Sequence, residues 1–82
     1  MAHETIMAIR TDTRRDNAEA LQKVLTEYGC NIKLRLGLHE AGDRCSDSGL
    51  ILLVLTGPQE EIARFEEALQ QVAGVQYKTM AV

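Results

Sequence analysis

The chain has 82 residues, room for one domain spanning 1–82, and a domain of that length buries only about 60% of the surface its unfolded chain exposes. Its core is therefore small, and self-association is an expected further source of stability. With 45% hydrophobic and 26% charged residues and a net charge of −3, the chain has an ordinary globular balance and offers no basic face for nucleic acid. The longest apolar run, Leu50 to Leu55, is far below the ~20 residues of a membrane span, and the start of the chain shows no charged-then-apolar leader. These features lead to a cytoplasmic location with neither membrane nor direct nucleic-acid contact.

The first strand is expected from about Thr5 to Thr11, with Ile6 and Ala8 on one side and Met7 and Ile9 on the other. Both sides are apolar, so the strand is central. Thr11, Asp12 and Thr13 offer side-chain acceptors ahead of a helix whose stripe is Ala18, Leu21, Leu25 and Tyr28, and Gly29 is expected to end it as a left-handed cap. A second strand alternates Ile32, Leu34, Leu36 and Leu38 against Lys33, Arg35, Gly37 and His39. One buried and one wet side is expected there, as for a strand near the sheet edge.

Residues 40–48 have no periodicity and read as a loop between antiparallel strands. The third strand, Gly49 to Leu55, is apolar throughout and needs cover on both faces. A second helix follows Thr56 and Gly57, with Pro58 in its first turn, Glu60 and Glu61 placed favourably against the helix dipole, and a stripe of Ile62, Phe65, Leu69 and Val72. Gly74 stops it, and Val75 to about Met80 forms the last strand. The order is βαββαβ: an α+β, ferredoxin-like plan with a four-stranded antiparallel sheet and two helices on one face. One helical layer leaves the other face open.

No motif for catalysis emerges. The two histidines, His3 and His39, have no nucleophile and orienting acid at a matching spacing, and neither a dinucleotide-binding nor a phosphate-binding glycine pattern occurs. A non-enzymatic chain with no cofactor is expected. His39, Asp43 and Cys45 do not make a recognised metal-ligand spacing, and a solvated loop is the preferred reading. Cys30 and Cys45 form no CxxC pair and are read as reduced thiols, with Cys45 in the loop reacting faster than Cys30 at the start of a strand. Arg14, Arg15, Asp16 and Asn17 fall in the first turn of the first helix, where backbone N–H groups attract anions, and a solvated helix start is the preferred reading. Lys33, Arg35 and His39 form a comparable row on the second strand that could meet an acidic partner, with a solvated, protected edge as the preferred reading.

The stretches 34–38 (LRLGL), 49–55 (GLILLVL) and 74–80 (GVQYKTM) resemble the family of iron-only hydrogenase system regulators, and the resemblance covers nearly the whole chain. It implies an ACT-like domain, related in architecture to the C-terminal sensing domain of the nickel-responsive repressor. That repressor carries a His-x-His pair on its second strand and a Cys leading into its third. Here Leu36, Leu38 and a single His39 stand on the second strand, Gly49 begins the third, and Cys45 lies in the loop, so nickel sensing does not carry over. By analogy with ACT domains, a small anionic or amino-acid ligand is placed after the first strand, at Asp12, Arg14 and Asn17, with Arg35 or His39 from a neighbouring subunit of a dimer or tetramer. The resulting expectation is a non-catalytic regulatory or ligand-sensing homo-oligomer. Two alternatives are a scaffold subunit acting through protein contacts and, more remotely, a redox or metal sensor using Cys45.

Overall fold

The strand-helix-strand order is realised twice in a computed structural model of the chain, which describes residues 4–11, 15–38 and 49–82, with 15–18 and 38 as backbone only. The elements are β1 (Thr5–Thr11), α1 (Arg15–Glu27), a 3-10 turn at Gly29–Asn31, β2 (Ile32–Leu38), β3 (Gly49–Leu55), α2 (Gln59–Gln70) and β4 (Val75–Ala81). They form one antiparallel sheet in the order β2-β3-β1-β4. This is the ferredoxin-like βαββαβ fold. β1 and β3, apolar on both sides, take the two central places, and β2 takes an edge as its alternation foretold.

The core lies between the helices and one face of the sheet. Met7 and Ile9 of β1 and Leu53 and Leu55 of β3 meet Leu21 and Leu25 of α1 and the α2 stripe of Ile62, Phe65 and Leu69, with Val72 just beyond the helix. The Tyr28 and Phe65 rings join the helices, with centroids 5.3 Å apart and tilted by 35°. Val75 and Tyr77 of β4 close the far side, where the Tyr77 hydroxyl accepts from Gln70 Nε2 at 2.9 Å.

Two local details depart from the sequence reading. Gly29 does not adopt the left-handed conformation: among the described glycines only Gly57 and Gly74 have positive φ. α1 instead runs through Tyr28 into the 3-10 turn, where the Asn31 N–H donates to the Tyr28 carbonyl at 3.0 Å. The carbonyls at the helix end are met by tightening the coil, and no glycine reversal is needed. The second departure is in β2. Ile32 lies opposite Leu55 and Leu34 opposite Val54, so Lys33 is an extra residue, a bulge. A one-residue shift exchanges the faces of a strand. Ile32 therefore packs against the helix-side core, whereas Leu34 and Leu36 fall on the opposite face, where they are 52% and 48% exposed. The expectation that all four apolar residues of this strand share one buried side is thus corrected.

In register across that opposite face run two rows. One is Leu34, Val54, Ile6 and Met80, and the other is Leu36, Leu52, Ala8 and Lys78. Among the described residues no element lies over them.

The start of β2 is tied to the turn before α2 by one side chain. Asn31 Nδ2 donates to the Thr56 carbonyl at 3.1 Å and to Glu61 Oε1 at 2.7 Å, and the Thr56 N–H donates to the Asn31 carbonyl at 2.8 Å. Gly57 reverses the chain beside it with φ of +118°, and a Cβ there would come within 2.6 Å of Asn31 Nδ2. Removing the Asn31 amide leaves a half-buried carbonyl without its donor, at about 1–3 kcal/mol, and Gly57→Ala adds backbone strain of similar size. Both single variants are expected to lower unfolding free energy in urea. Because Asn31→Ala also removes the atom the new methyl strikes, the double variant should lose less than the sum of the two.

Candidate functional site

The candidate site is the end of the sheet where β1 finishes. Thr11, the last residue of β1, is buried and lies opposite both Gly49, which opens β3, and Val75, which opens β4. At the same end Leu38 closes β2 opposite Leu50. The turn into α1 and the connection leaving β2 therefore start from one edge of the sheet, with their strand ends two strand spacings, or about 10 Å, apart. Antiparallel topology produces this convergence, and a linear sequence of charged residues does not reveal it.

Of the residues expected to bind a ligand, Asp12, Arg14 and His39 lie outside the described residues, and Asn17 is described only as backbone in the first turns of α1. Arg35 is described in full. It stands opposite Leu53, on the side of the sheet that carries the helices, and Nη2 donates to Gln22 Oε1 on α1 at 2.8 Å. Gln22 is five residues along the helix from Asn17, about 8 Å at the usual rise. The described structure thus joins Arg35 to the middle of α1 within one chain. Lys33, its neighbour on β2, pairs instead with Glu4 in an exposed contact, of the kind worth at most about 1 kcal/mol.

A shallow depression along α1 is lined by Glu19, Gln22, Lys23, Thr26 and Glu27. It was not anticipated, although the spacing of three and four residues that puts these side chains on one helix face is readable in the sequence. Both signs of charge are interspersed there, so it gives no strong field for an anion. The redox or metal reading centred on Cys45 also falls outside the described residues, as does His39, the last of the row whose Lys33 and Arg35 are placed above. Among the described residues there is no group of three or more His, Cys, Asp or Glu side chains able to hold a metal ion. No described helix is long and apolar enough to cross a membrane.

The chain matches no protein-family model, and no curated protein matches it. Solved structures do resemble it. An uncharacterized protein from Thermotoga maritima is 24% identical with a TM-score of 0.85, the match covering 100% of this chain and 99% of that one. A 5-chloro-2-hydroxyhydroquinone dehydrochlorinase from Burkholderia phenoliruptrix, in complex with 2,5-dihydroxybenzoquinone, is 18% identical with a TM-score of 0.59, over 95% of this chain and 90% of that one. CPII from Thiomonas intermedia, bound to ADP, AMP and acetate, is 18% identical with a TM-score of 0.52, over 100% of this chain and 91% of that one. At these identities the likeness is one of fold, and the fold serves an enzyme as well as proteins that are not described as enzymes.

Cys30 also differs from expectation. It sits in the 3-10 turn as a free, exposed thiol, because the turn carries it past the end of α1 before β2 enters the sheet. Slow reaction in the native state no longer follows. In a Cys45→Ser chain, Cys30 should react with a thiol reagent in the native state within about tenfold of its rate in denaturant, since accessibility governs a solvent-facing thiol. Protection by a factor of a hundred or more would contradict the exposed placement.

Proposed function

We propose that this chain is a non-catalytic, ACT-like regulatory or ligand-sensing domain that works as a homo-oligomer. Its ligand is a small anion or amino acid held where β1 passes into α1. The observation that carries the reading is the match of the whole ferredoxin-like chain, end to end, to compact structures of similar length, one of which, CPII, binds ADP, AMP and acetate. In this reading Asp12 and Asn17 orient the ligand by hydrogen bonds, Arg14 supplies the charge, and Arg35 or His39 of a neighbouring subunit completes the site. The first turn of a helix of 13 residues adds its own unpaired N–H groups to such a site. The regulated system is an iron-only hydrogenase system, a link that rests on the resemblance of residues 34–38, 49–55 and 74–80 to that regulator family. The proposed location is the cytoplasm.

A second reading, a scaffold subunit without a small ligand, is favoured by the exposed apolar side chains Leu34, Leu36 and Met80, which suit protein contacts better than a polar ligand. The two readings separate experimentally.

Thermal unfolding of the full chain is expected to shift upward with at least one of ADP, AMP, acetate or the common amino acids, because a ligand that binds only the folded state stabilises it by mass action. Arg14→Ala should weaken that binding by roughly tenfold, the worth of one charge-assisted hydrogen bond, while Asn17→Ala weakens it less. Both should leave stability within about 0.5 kcal/mol of the parent. The binding should weaken as salt rises. No shift with any of these compounds sinks the sensing reading and leaves the scaffold reading in its place.

A further inference from the structure

The sheet face turned away from the helices is apolar over most of its width, and its exposed leucines need an occupant. From the residue before β1 and along the strand this face reads Glu4, Ile6, Ala8, Arg10: an acid that also pairs with Lys33 of its own chain, two apolar residues, a base. That column is complementary to itself when reversed. A two-fold axis lying across the strands and passing between Ile6 and Ala8 would set Ile6 against Ala8 of a second copy and Glu4 against its Arg10. The same axis lays the row of Leu34, Val54, Ile6 and Met80 over the row of Leu36, Leu52, Ala8 and Lys78. Lys78 then meets Met80 with its methylene stem and keeps its ammonium group at the rim.

Shape and area favour a sheet as the occupant. Sheets of the same twist pack face to face about 10 Å apart and within about 30° of alignment. Four strands at about 4.8 Å and four side-chain rows at about 7 Å make a face of roughly 19 by 28 Å. Two such faces together remove on the order of 1,000 Å² from water, the lower bound for a specific interface. A single helix, about 10 Å across, would leave half the strands uncovered.

We infer that this face is a two-fold homodimer interface in which a second copy of the chain buries the leucine rows and Glu4 of each copy meets Arg10 of the other. The inference rests on the homo-oligomeric reading above and names one surface for it. Because Arg35 lies on the helix side and the axis reverses the strands, this surface does not bring the β2 end of one copy to the β1–α1 turn of the other. That contribution to the ligand site needs a second interface, as in a tetramer. It is independent of whether a small ligand binds.

Sedimentation equilibrium of the full chain should give a dimer at micromolar concentration. Leu36→Arg, at a position already half exposed, should give a folded monomer with an unchanged circular dichroism spectrum. Glu4→Arg and Arg10→Glu should each raise the dimer dissociation constant by about tenfold, since each places like charges together twice per dimer. The double reversal should return it to within about threefold of the parent, whereas Lys23→Glu on the outer face of α1 should change nothing. A monomeric parent chain overturns the inference, as does a Leu36→Arg dimer or a double reversal no tighter than the singles. Ligand shifts measured on the same samples keep the two proposals apart. A dimer without any shift removes the sensing site alone, and a monomer with a shift removes the interface and the homo-oligomeric part of the proposed function while leaving the ligand.

Discussion

A four-stranded sheet has two faces, and two helices can cover only one. Most features of this molecule follow from that mismatch. The helix-side face takes Met7, Ile9, Leu53 and Leu55 and seals them under Leu25, Phe65 and Leu69. The other face keeps Leu34, Leu36 and Met80 about half exposed or more. In many antiparallel sheets the outer face is polar, and the chain is content with one core. Here β3 is apolar on both sides, so the sequence provides for a second buried layer that the described residues do not build. For a domain whose own core is small, leaving several aliphatic side chains wet forgoes about 1.5–3 kcal/mol for each one that could have been fully buried. That is a large share of the 5–15 kcal/mol that typically separates folded from unfolded states.

The bulge at Lys33 decides which side of this division β2 serves. Without it, the strand would send Ile32, Leu34 and Leu36 all to the same face. With it, Ile32 completes the helix-side core next to Leu55, and Leu34 and Leu36 extend the apolar rows of the open face to the sheet edge. Asn31 holds the strand just before this point, through Thr56 and Glu61, so the register is set by a polar anchor at the start of the strand. Bulges increase twist and blunt edges. An extra residue at an edge strand that carries a charged side chain fits that role.

Much of this was legible in the sequence, and what was not has identifiable causes. Period-two and period-3.6 patterns located the four described strands and two helices, the two-sided apolarity of β1 gave its central position, and that of β3 gave its need for cover on both faces, because burial pattern reports directly on neighbours. The stripe Ile62, Phe65, Leu69, Val72 was read correctly for the same reason. The bulge was hidden, because an alternating sequence looks the same whether or not one residue is skipped in pairing. Gly29 was misread since a glycine after a helix is compatible with two endings, a left-handed cap or a 3-10 continuation, and the choice is made by Asn31 further along. At the candidate site, the sequence supplied the charged residues around the β1–α1 turn, but the pairing of Arg35 with Gln22 depends on which face β2 turns toward α1, a tertiary fact with no local signature.

β1 is the element through which the proposals meet. One of its faces forms the floor of the core through Met7 and Ile9, the other carries the column from Glu4 to Arg10, and its end at Thr11 leads into the proposed ligand turn. It is bonded on both sides, to β3 and to β4 over its full length, so it cannot shift without disturbing two ladders. A strand held this firmly transmits small displacements poorly, but it holds the turn and the outer face in a constant relation. Coupling between a ligand at the turn and a partner on the face would then not come from movement of the sheet. By linkage, whatever free energy the ligand adds to dimer formation, dimer formation adds equally to ligand binding. Under the proposed regulatory reading the chain responds through the stability of its assembly, which makes chain concentration part of its signal.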